Sequence, residues 1–378
     1  MAAILVGVIG PEVFIVQPGF VQGLVSYLHF DDQTAGYAAS IEVWGITSTT
    51  VLMTFFAHHF NWRKVIAISL LVVALSNFAS IGAHGHTLFV VLRFLAGAGC
   101  GSLISLSFTT VGLTSNPDRN FGYLIMWVLI YGAVVLYLMP AAFTVSGMTG
   151  PLLFFALFPL SALPLVKAFP VSGETVAAVE ADAINLPGSL KALALTAMFA
   201  YFIAQGVAWA YLFLIGTAGG LSEQKVATAL TLSQFAGVGG ALLPALLGSR
   251  FGRWRPLSLG IAGGAVALLF LIGHFEYLPF TLWVCVYNFF WNMTHPFLLG
   301  SMASFDRRGR VVVYAVALQM LGLAVGPALA ASVIAPGHFD RVNWLAIAFF
   351  MISWVCILPP VLSQQRGTRG ASLGWRTS

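Results

Sequence analysis

Apolar runs of about 20 residues or longer recur along the whole chain, each close to the length a helix needs to cross the hydrocarbon of a bilayer. They lie at roughly 2–28, 36–57, 65–83, 87–112, 121–143, 150–168, 190–217, 227–247, 257–275, 279–303, 311–335 and 343–362. In lipid every backbone N–H and C=O needs an internal partner, so only helices or a closed barrel can span. A barrel demands segments of about 10 residues with alternating polarity, and these runs do not alternate. A soluble fold fails on charge. Only 8% of the 378 residues are Asp, Glu, Lys or Arg, against about 25% in soluble domains. Mean hydropathy is +0.92. The expected fold class is therefore an all-α membrane protein with twelve transmembrane helices. The first run carries Glu12 and lacks the short apolar core and small-residue cleavage site of a signal peptide, so it reads as the first span.

Most connections are short, which makes consecutive helices antiparallel neighbours. One longer polar link at 169–189 divides the chain into an N-terminal six-helix bundle at 1–168 and a C-terminal one at 190–362, followed by a tail at 363–378. Sliding the first half by about 191 residues lays the 58–64 loop on the 249–255 loop and the fourth span on the tenth, the pattern of parallel halves with a site at their interface. With the N-terminus inside, all but three of the seventeen lysines and arginines fall on inner segments; the exceptions are Lys225 and Arg341 outside and Arg93 within a span. From that bias both termini are expected in the cytoplasm; the expected location is the plasma (inner) membrane. The bias also accounts for the net charge of +5 as a topology signal rather than a nucleic-acid surface. Cys100, Cys285 and Cys356 lie in apolar runs with no metal or disulfide spacing, and the histidines show none either. No cofactor is expected, and no phosphate loop for ATP-driven pumping is present.

Two segments carry a family resemblance. The stretch Gly248-Ser-Arg-Phe-Gly-Arg-Trp-Arg255 resembles the Asp-Arg-x-Gly-Arg loop of the major facilitator superfamily, with Arg250, Gly252 and Arg253 matching and Ser249 in place of the acid. The equivalent first-half loop, 58–64, keeps only its basic end, Arg63-Lys64. The fourth span reads Arg93-Phe-Leu-Ala-Gly97-Ala-Gly99-Cys-Gly101, similar to the family's Arg-x-x-x-Gly-x-Gly-x-Gly signature. The resemblance implies a secondary transporter working by alternating access, with spans one, four, seven and ten around a central cavity. The Gly-Pro pattern of the family's drug/proton antiporters is missing from the fifth span, which has Leu138-Met-Pro140. A related run, Gly322 to Pro327, sits in the eleventh; there it also reads as a packing face and kink.

Charges inside a membrane cost roughly 2.5–3.5 kcal/mol each on insertion scales and mark function by default. Arg93 and Glu42 both sit roughly 9 Å inward from the outer ends of their spans at 1.5 Å per residue, so they could pair. Glu12 lies roughly 15 Å from the inner end of the first span, near the midplane. Two readings stay open for each. Arg93 is either an anion-binding charge in the cavity or a buried tie to an acid and backbone carbonyls. Glu12 is either a protonatable coupling carboxylate or a helix-breaking cap beside Pro11. Glu42 is a charge partner or an interfacial acid. In the tenth span Asn288, Asn292 and His295 recur on one face with Trp291 beside them, and in the seventh Tyr201, Gln205 and Trp209 do the same. Gln17 and Gln22 are further candidates in the first span, where Pro18-Gly19 provides a point of bending.

The expected function is transport of a small organic solute by proton-coupled alternating access. Glu12 and His295 would carry the proton. Arg93, Gln17, Tyr201, Gln205, Trp209, Asn288, Trp291 and Asn292 would contact the solute. Arg93 favours an organic anion. The expected partners are that solute, a proton or other ion and the bilayer, with the protein acting as a monomer. Export of hydrophobic drugs is the rival within the class. A membrane-embedded enzyme or receptor is the rival outside it, and no convergent catalytic set supports an enzyme.

Overall fold

The computed structural model describes residues 2–83, 85–113, 117–172, 185–247, 252–306, 310–334 and 339–374. Among them the chain forms fourteen α-helices and two short 3-10 helices. The first apolar run is not one helix but three: α1 (Ala2–Ile9), α2 (Glu12–Ile15) and α3 (Gln17–Leu28). The breaks fall at Gly10-Pro11 and Val16 rather than at Pro18-Gly19. Pro18 lies in the first turn of α3, where the missing N–H costs no intrahelical bond. Pro11 precedes Glu12 and has no N–H to continue α1. The chain leaves α3 through His29, in a left-handed conformation with φ 58°. It then enters α4 (Asp32–Phe56), capped by Asp31, whose carboxylate accepts from the Thr34 backbone N–H at 2.8 Å and the Thr34 hydroxyl at 2.6 Å.

The remaining helices are α5 (Trp62–Ile81), α6 (His86–Gly112), α7 (Pro117–Ser146), α8 (Thr149–Ser161, continued by a 3-10 turn at Leu163–Ala168) and α9 (Gly188–Ala218). They are followed by α10 (Glu223–Leu247), α11 (Trp254–Leu269), α12 (Tyr277–Ser304), α13 (Arg310–Val333) and α14 (Asp340–Gly374). Eight described segments are long and apolar enough to cross a membrane by length and composition: α5 to α10, with α8 counted through its 3-10 turn, then α13 and α14. Four expected spans fall short of that standard for visible reasons. The first is broken, α11 has 16 residues, and α4 and α12 carry the polar side chains that turn inward. The α14 helix continues to Gly374, so most of the expected tail is helical. Residues 173–184 of the expected linker lie outside the described residues.

The same packing recurs in both halves. The α4 helix lies on α6, and α5 touches α6 and α8; α10 lies on α12, and α11 touches α12 and α14. The glycines of the fourth span explain one of these contacts. A Cβ added at Gly97 would collide with Glu42 O and one at Gly101 with Ile46 O, both on α4; a Cβ at Gly99 would press on Ser69 O and Val73 of α5. Alternate glycines thus let two different neighbours approach at backbone distance, the close packing that small residues permit in lipid. The halves meet through α4 on α13, α7 on α10 and α3 on α9. The α9 helix is central, with 94% of its apolar window buried. Outward faces present Leu75, Phe78, Ile68 and Leu278, an apolar surface suited to lipid contact.

Candidate functional site: a cavity between the two halves

A cavity of about 480 Å³ lies between the halves. The first half lines it with α2 (Phe14, Ile15), α4 (Val43, Ile46, Thr50), α6 (Ile104, Ser105, Phe108, Thr109) and α7 (Leu124, Ile125, Val128, Leu129). The second half lines it with α9 (Phe202, Trp209), α10 (Gln234), α12 (Asn288, Trp291, Asn292, His295, Leu299) and α13 (Val316, Gln319, Met320, Leu323). Among the described residues that line it none is acidic or basic apart from His295.

The polar wall is built mainly of carboxamides. Asn288 Nδ2 donates to Ser233 Oγ at 3.1 Å, and Asn292 Nδ2 donates to Asn288 Oδ1 at 2.7 Å. His295 Nε2 pairs with Gln319 Oε1 at 2.9 Å; a carbonyl oxygen can only accept, so this nitrogen carries the proton in that pairing. The His295 ring also stands edge-on to Phe202, centroids 5.0 Å apart. Trp209 and Trp291 meet at 75° with centroids 5.5 Å apart, and the Trp209 indole N–H donates to Phe14 O at 3.0 Å. Gln234 is 1% exposed, and neither its amide nitrogen nor its amide oxygen has a hydrogen-bond partner.

Several residues picked out from sequence are not in this wall. Tyr201 packs on Phe202 and Phe350, and Gln205 Oε1 accepts from Tyr287 Oη at 2.5 Å. Both therefore hold α9 against its neighbours, Gln205 about one turn and Tyr201 about two turns along the helix from Trp209. Gln17 is 2% exposed and stays out of the cavity wall, and Gln22 donates to Ser26 Oγ and to Glu223 Oε1. Spacing showed which residues share a helix face but not how far along that face the cavity reaches: Trp209 lines it, Tyr201 and Gln205 do not. Gln234, Gln319, Thr50, Ser105 and Thr109 were missed, because a lone polar residue in an apolar run makes no periodic stripe.

Arg93 is also away from the cavity. Its guanidinium is 0% exposed and is held by Asn77 Oδ1 at 2.9 Å, Ser80 Oγ at 2.8 Å and Ser76 O at 3.4 Å, with Glu42 Oε1 at 3.6 Å. The rings of Phe20 and Phe89 cover it, 5.6 and 5.4 Å from the guanidinium carbon. The guanidinium lies outside the cavity lining and ties α4, α5 and α6 together, the geometry of the second of the two readings that the sequence left open. Glu12 is 0% exposed, and both carboxylate oxygens lack a hydrogen-bond partner. It shares an electrostatic neighbourhood with Glu42, Arg93 and Tyr131, whose buried hydroxyl is unpartnered too. The four-residue α2 therefore carries Glu12 into the first half while Phe14 and Ile15 face the cavity.

At the end of the molecule where α3 passes to α4, the halves are joined by direct hydrogen bonds. Tyr211 Oη donates to Asp32 O at 2.8 Å, Gln33 Nε2 to Ala331 O at 3.1 Å and Ser40 Oγ to Ala324 O at 2.6 Å. The cavity-lining residues of α4, α6 and α12 lie toward the opposite ends of those helices. There, Arg63 Nε donates to Phe169 O at 2.6 Å, and Lys191 reaches Asp306 at 3.8 Å. Gly252 has φ 68°, and a Cβ there would meet the Gln365 amide of α14; Arg253 follows as the residue before α11. Arg250 lies outside the described residues.

A lipid-facing helical bundle whose halves flank a solute-sized cavity, mostly apolar with a patch of uncharged polar side chains, is the build of a polytopic membrane transporter. The sequence matches the Major Facilitator Superfamily over residues 2–305, and the chain belongs to that family, which is one of transporters and not of enzymes. Solved structures agree on the fold. A D-xylose–proton symporter matches with a TM-score of 0.75 at 15% identity, over 95% of this chain and 96% of that one. A nucleoside transporter matches with 0.71 at 15%, over 96% and 98%. A bacterial homologue of the human lysosomal transporter Spinster, inward-facing and unoccupied, matches with 0.67 at 12%, over 96% of each. No curated protein sequence matches the chain.

Proposed function

We propose that the chain is a twelve-span secondary transporter of two six-helix bundles, with both termini cytoplasmic, that moves a neutral, ring-bearing polar solute coupled to protons. The observation that carries this reading is the polar part of a mostly aliphatic and aromatic cavity wall: carboxamides, hydroxyls and two indole rings, with no acidic group, lysine or arginine among the described lining residues. Carboxamides both donate and accept, and indole faces stack on the apolar side of a ring. The expected organic anion loses its support once Arg93 is walled off; export of hydrophobic drugs remains the second reading, favoured by the apolar part of the wall, while the absence of a lining acid speaks against cationic ones. That two structural neighbours carry D-xylose and nucleosides is in keeping with a hydroxyl-rich solute.

Charge counting supports the coupling. Glu12, Glu42 and Arg93 are all buried and share one neighbourhood. With every group ionised the set carries one net negative charge in a dry site, and a buried unpaired charge is strongly unfavourable. One proton on Glu12 makes the set neutral, and its loss would accompany a change in the packing of α2. The test is proton flux in proteoliposomes holding a pH dye, challenged with monosaccharides, nucleosides, organic acids and cationic dyes. Glu12→Gln should let a neutral solute exchange without moving protons. Proton flux that survives in Glu12→Gln would remove Glu12 from the coupling step.

A further inference from the structure

We infer that Gln234 is the solute's main polar anchor, and that its amide reads a group offering a donor and an acceptor side by side, such as the vicinal hydroxyls of a sugar or a ribose. The inference rests on the neutral-solute reading above and adds to it the residue and the chemical edge it selects.

The other carboxamides of the wall are engaged within the protein. Asn288 is held by Ser233, Asn292 by Asn288, and Gln319 by His295. Gln234 differs, because both of its polar ends are buried and unpartnered. Burying an amide with neither end satisfied is unfavourable by roughly 1–3 kcal/mol per group. A packing role would be served better by an apolar side chain of the same shape. An amide kept there at that cost is one whose partner arrives from outside, and the residue borders a cavity of solute size.

Its position adds a second argument. Gln234 lies on α10 against Gly132 of α7, where an added Cβ would stand 3.5 Å from its amide carbon and 3.0 Å from Ile15 of α2. The α7–α10 contact joins the two halves, and α2 carries Glu12. A solute held by Gln234 thus presses on the seam that separates in alternating access, and on the short helix bearing the coupling carboxylate. An amide suits this seam because its N–H and C=O can bind one hydroxyl as acceptor and its neighbour as donor at the same time.

The test uses the purified full chain and the near-isosteric Gln234→Met. Binding is followed by intrinsic tryptophan fluorescence with D-xylose, uridine, 2′,3′-dideoxyuridine and benzoate as probes, beside a thermal melt. The expected result is binding of a vicinal-diol probe to the wild type, weakened about tenfold or more in Gln234→Met. Dideoxyuridine should bind both proteins equally weakly, and the melt of Gln234→Met should be unchanged or higher. Xylose and uridine distinguish a free sugar from a nucleoside ribose as the source of the diol. Equal diol binding by both proteins, or a clearly lowered melt in Gln234→Met, would overturn the role of Gln234 while leaving the neutral-solute reading standing. Binding of benzoate alone, or of no probe, would overturn that reading and the inference with it.

Discussion

The indole N–H of Trp209 donates to the carbonyl oxygen of Phe14, 3.0 Å away, one residue after Val13 and two before the break at Val16. It is a bond from the centre of the second half to the broken first span of the first. A helix interrupted twice leaves carbonyls without the N–H four residues on, and in lipid each needs another donor. Trp209→Phe keeps the ring beside Trp291 but removes the donor. The expected loss is about 1–2 kcal/mol of stability, read as a lower melting temperature in detergent. Solute exchange should slow as α2 loses its tie. An unchanged melt and unchanged exchange would show that water replaces the indole.

Arg93 offers a sharper separation of roles. Arg93→Leu leaves Glu42 buried without its cation, a change expected to cost about 3–5 kcal/mol and to reduce the folded fraction on size exclusion. The double variant Arg93→Leu, Glu42→Gln should recover much of that loss, because no lone charge remains. A stable Arg93→Leu that merely changes solute preference would restore Arg93 to the substrate site.

The membrane fold was readable because the apolar runs admit only helices, and Arg93 with its alternate glycines was readable as a packed fourth span. Asn288, Asn292 and His295 were found because three polar residues on one face cannot all meet lipid. A shared helix face follows from spacing, but neither which face meets the cavity nor how far along it the cavity runs does, so Arg93, Tyr201 and Gln205 were assigned to a cavity they do not line. Gln234 gave no pattern at all, since its significance lies in the absence of a partner, which only packing reveals. The break before α2 was legible as the helix-breaking reading of Glu12 beside Pro11, whereas the one at Val16 was not, because Pro18 looks like a bend until the helix start at Gln17 is known.

Asp31 provides a pH dependence outside the membrane spans. The Thr34 hydroxyl and backbone N–H hold its carboxylate below the ordinary value of 3.8. A lowered folded value means the cap stabilises α4 fully above that pH and loses the contribution as pH falls through the folded value. Asp31→Ala should cost about 1 kcal/mol near neutral pH, and the gap between the two melting curves should narrow on acidification below about pH 4. A gap that widens with acid would contradict the cap.

The joined end of the halves predicts a conformational bias. Gly36 stands against Tyr211, and a Cβ there would collide with the tyrosine hydroxyl and press on Ala331 at 3.1 Å. Gly36→Val therefore wedges α4 away from α9 and α13, breaking the Tyr211 bond to Asp32 O and straining the neighbouring bond from Ser40 to Ala324 O. Ser40 is 2% exposed, so Ser40→Cys, with Cys100, Cys285 and Cys356 replaced by serine, should resist a membrane-impermeant maleimide. Adding Gly36→Val should make it react several-fold faster from the side of the α3–α4 turn, because the ligand-free balance shifts toward opening there. Labelling that stays slow in the presence of the wedge would mean that the seam yields by local repacking, and that these hydrogen bonds do not hold the halves closed at that end.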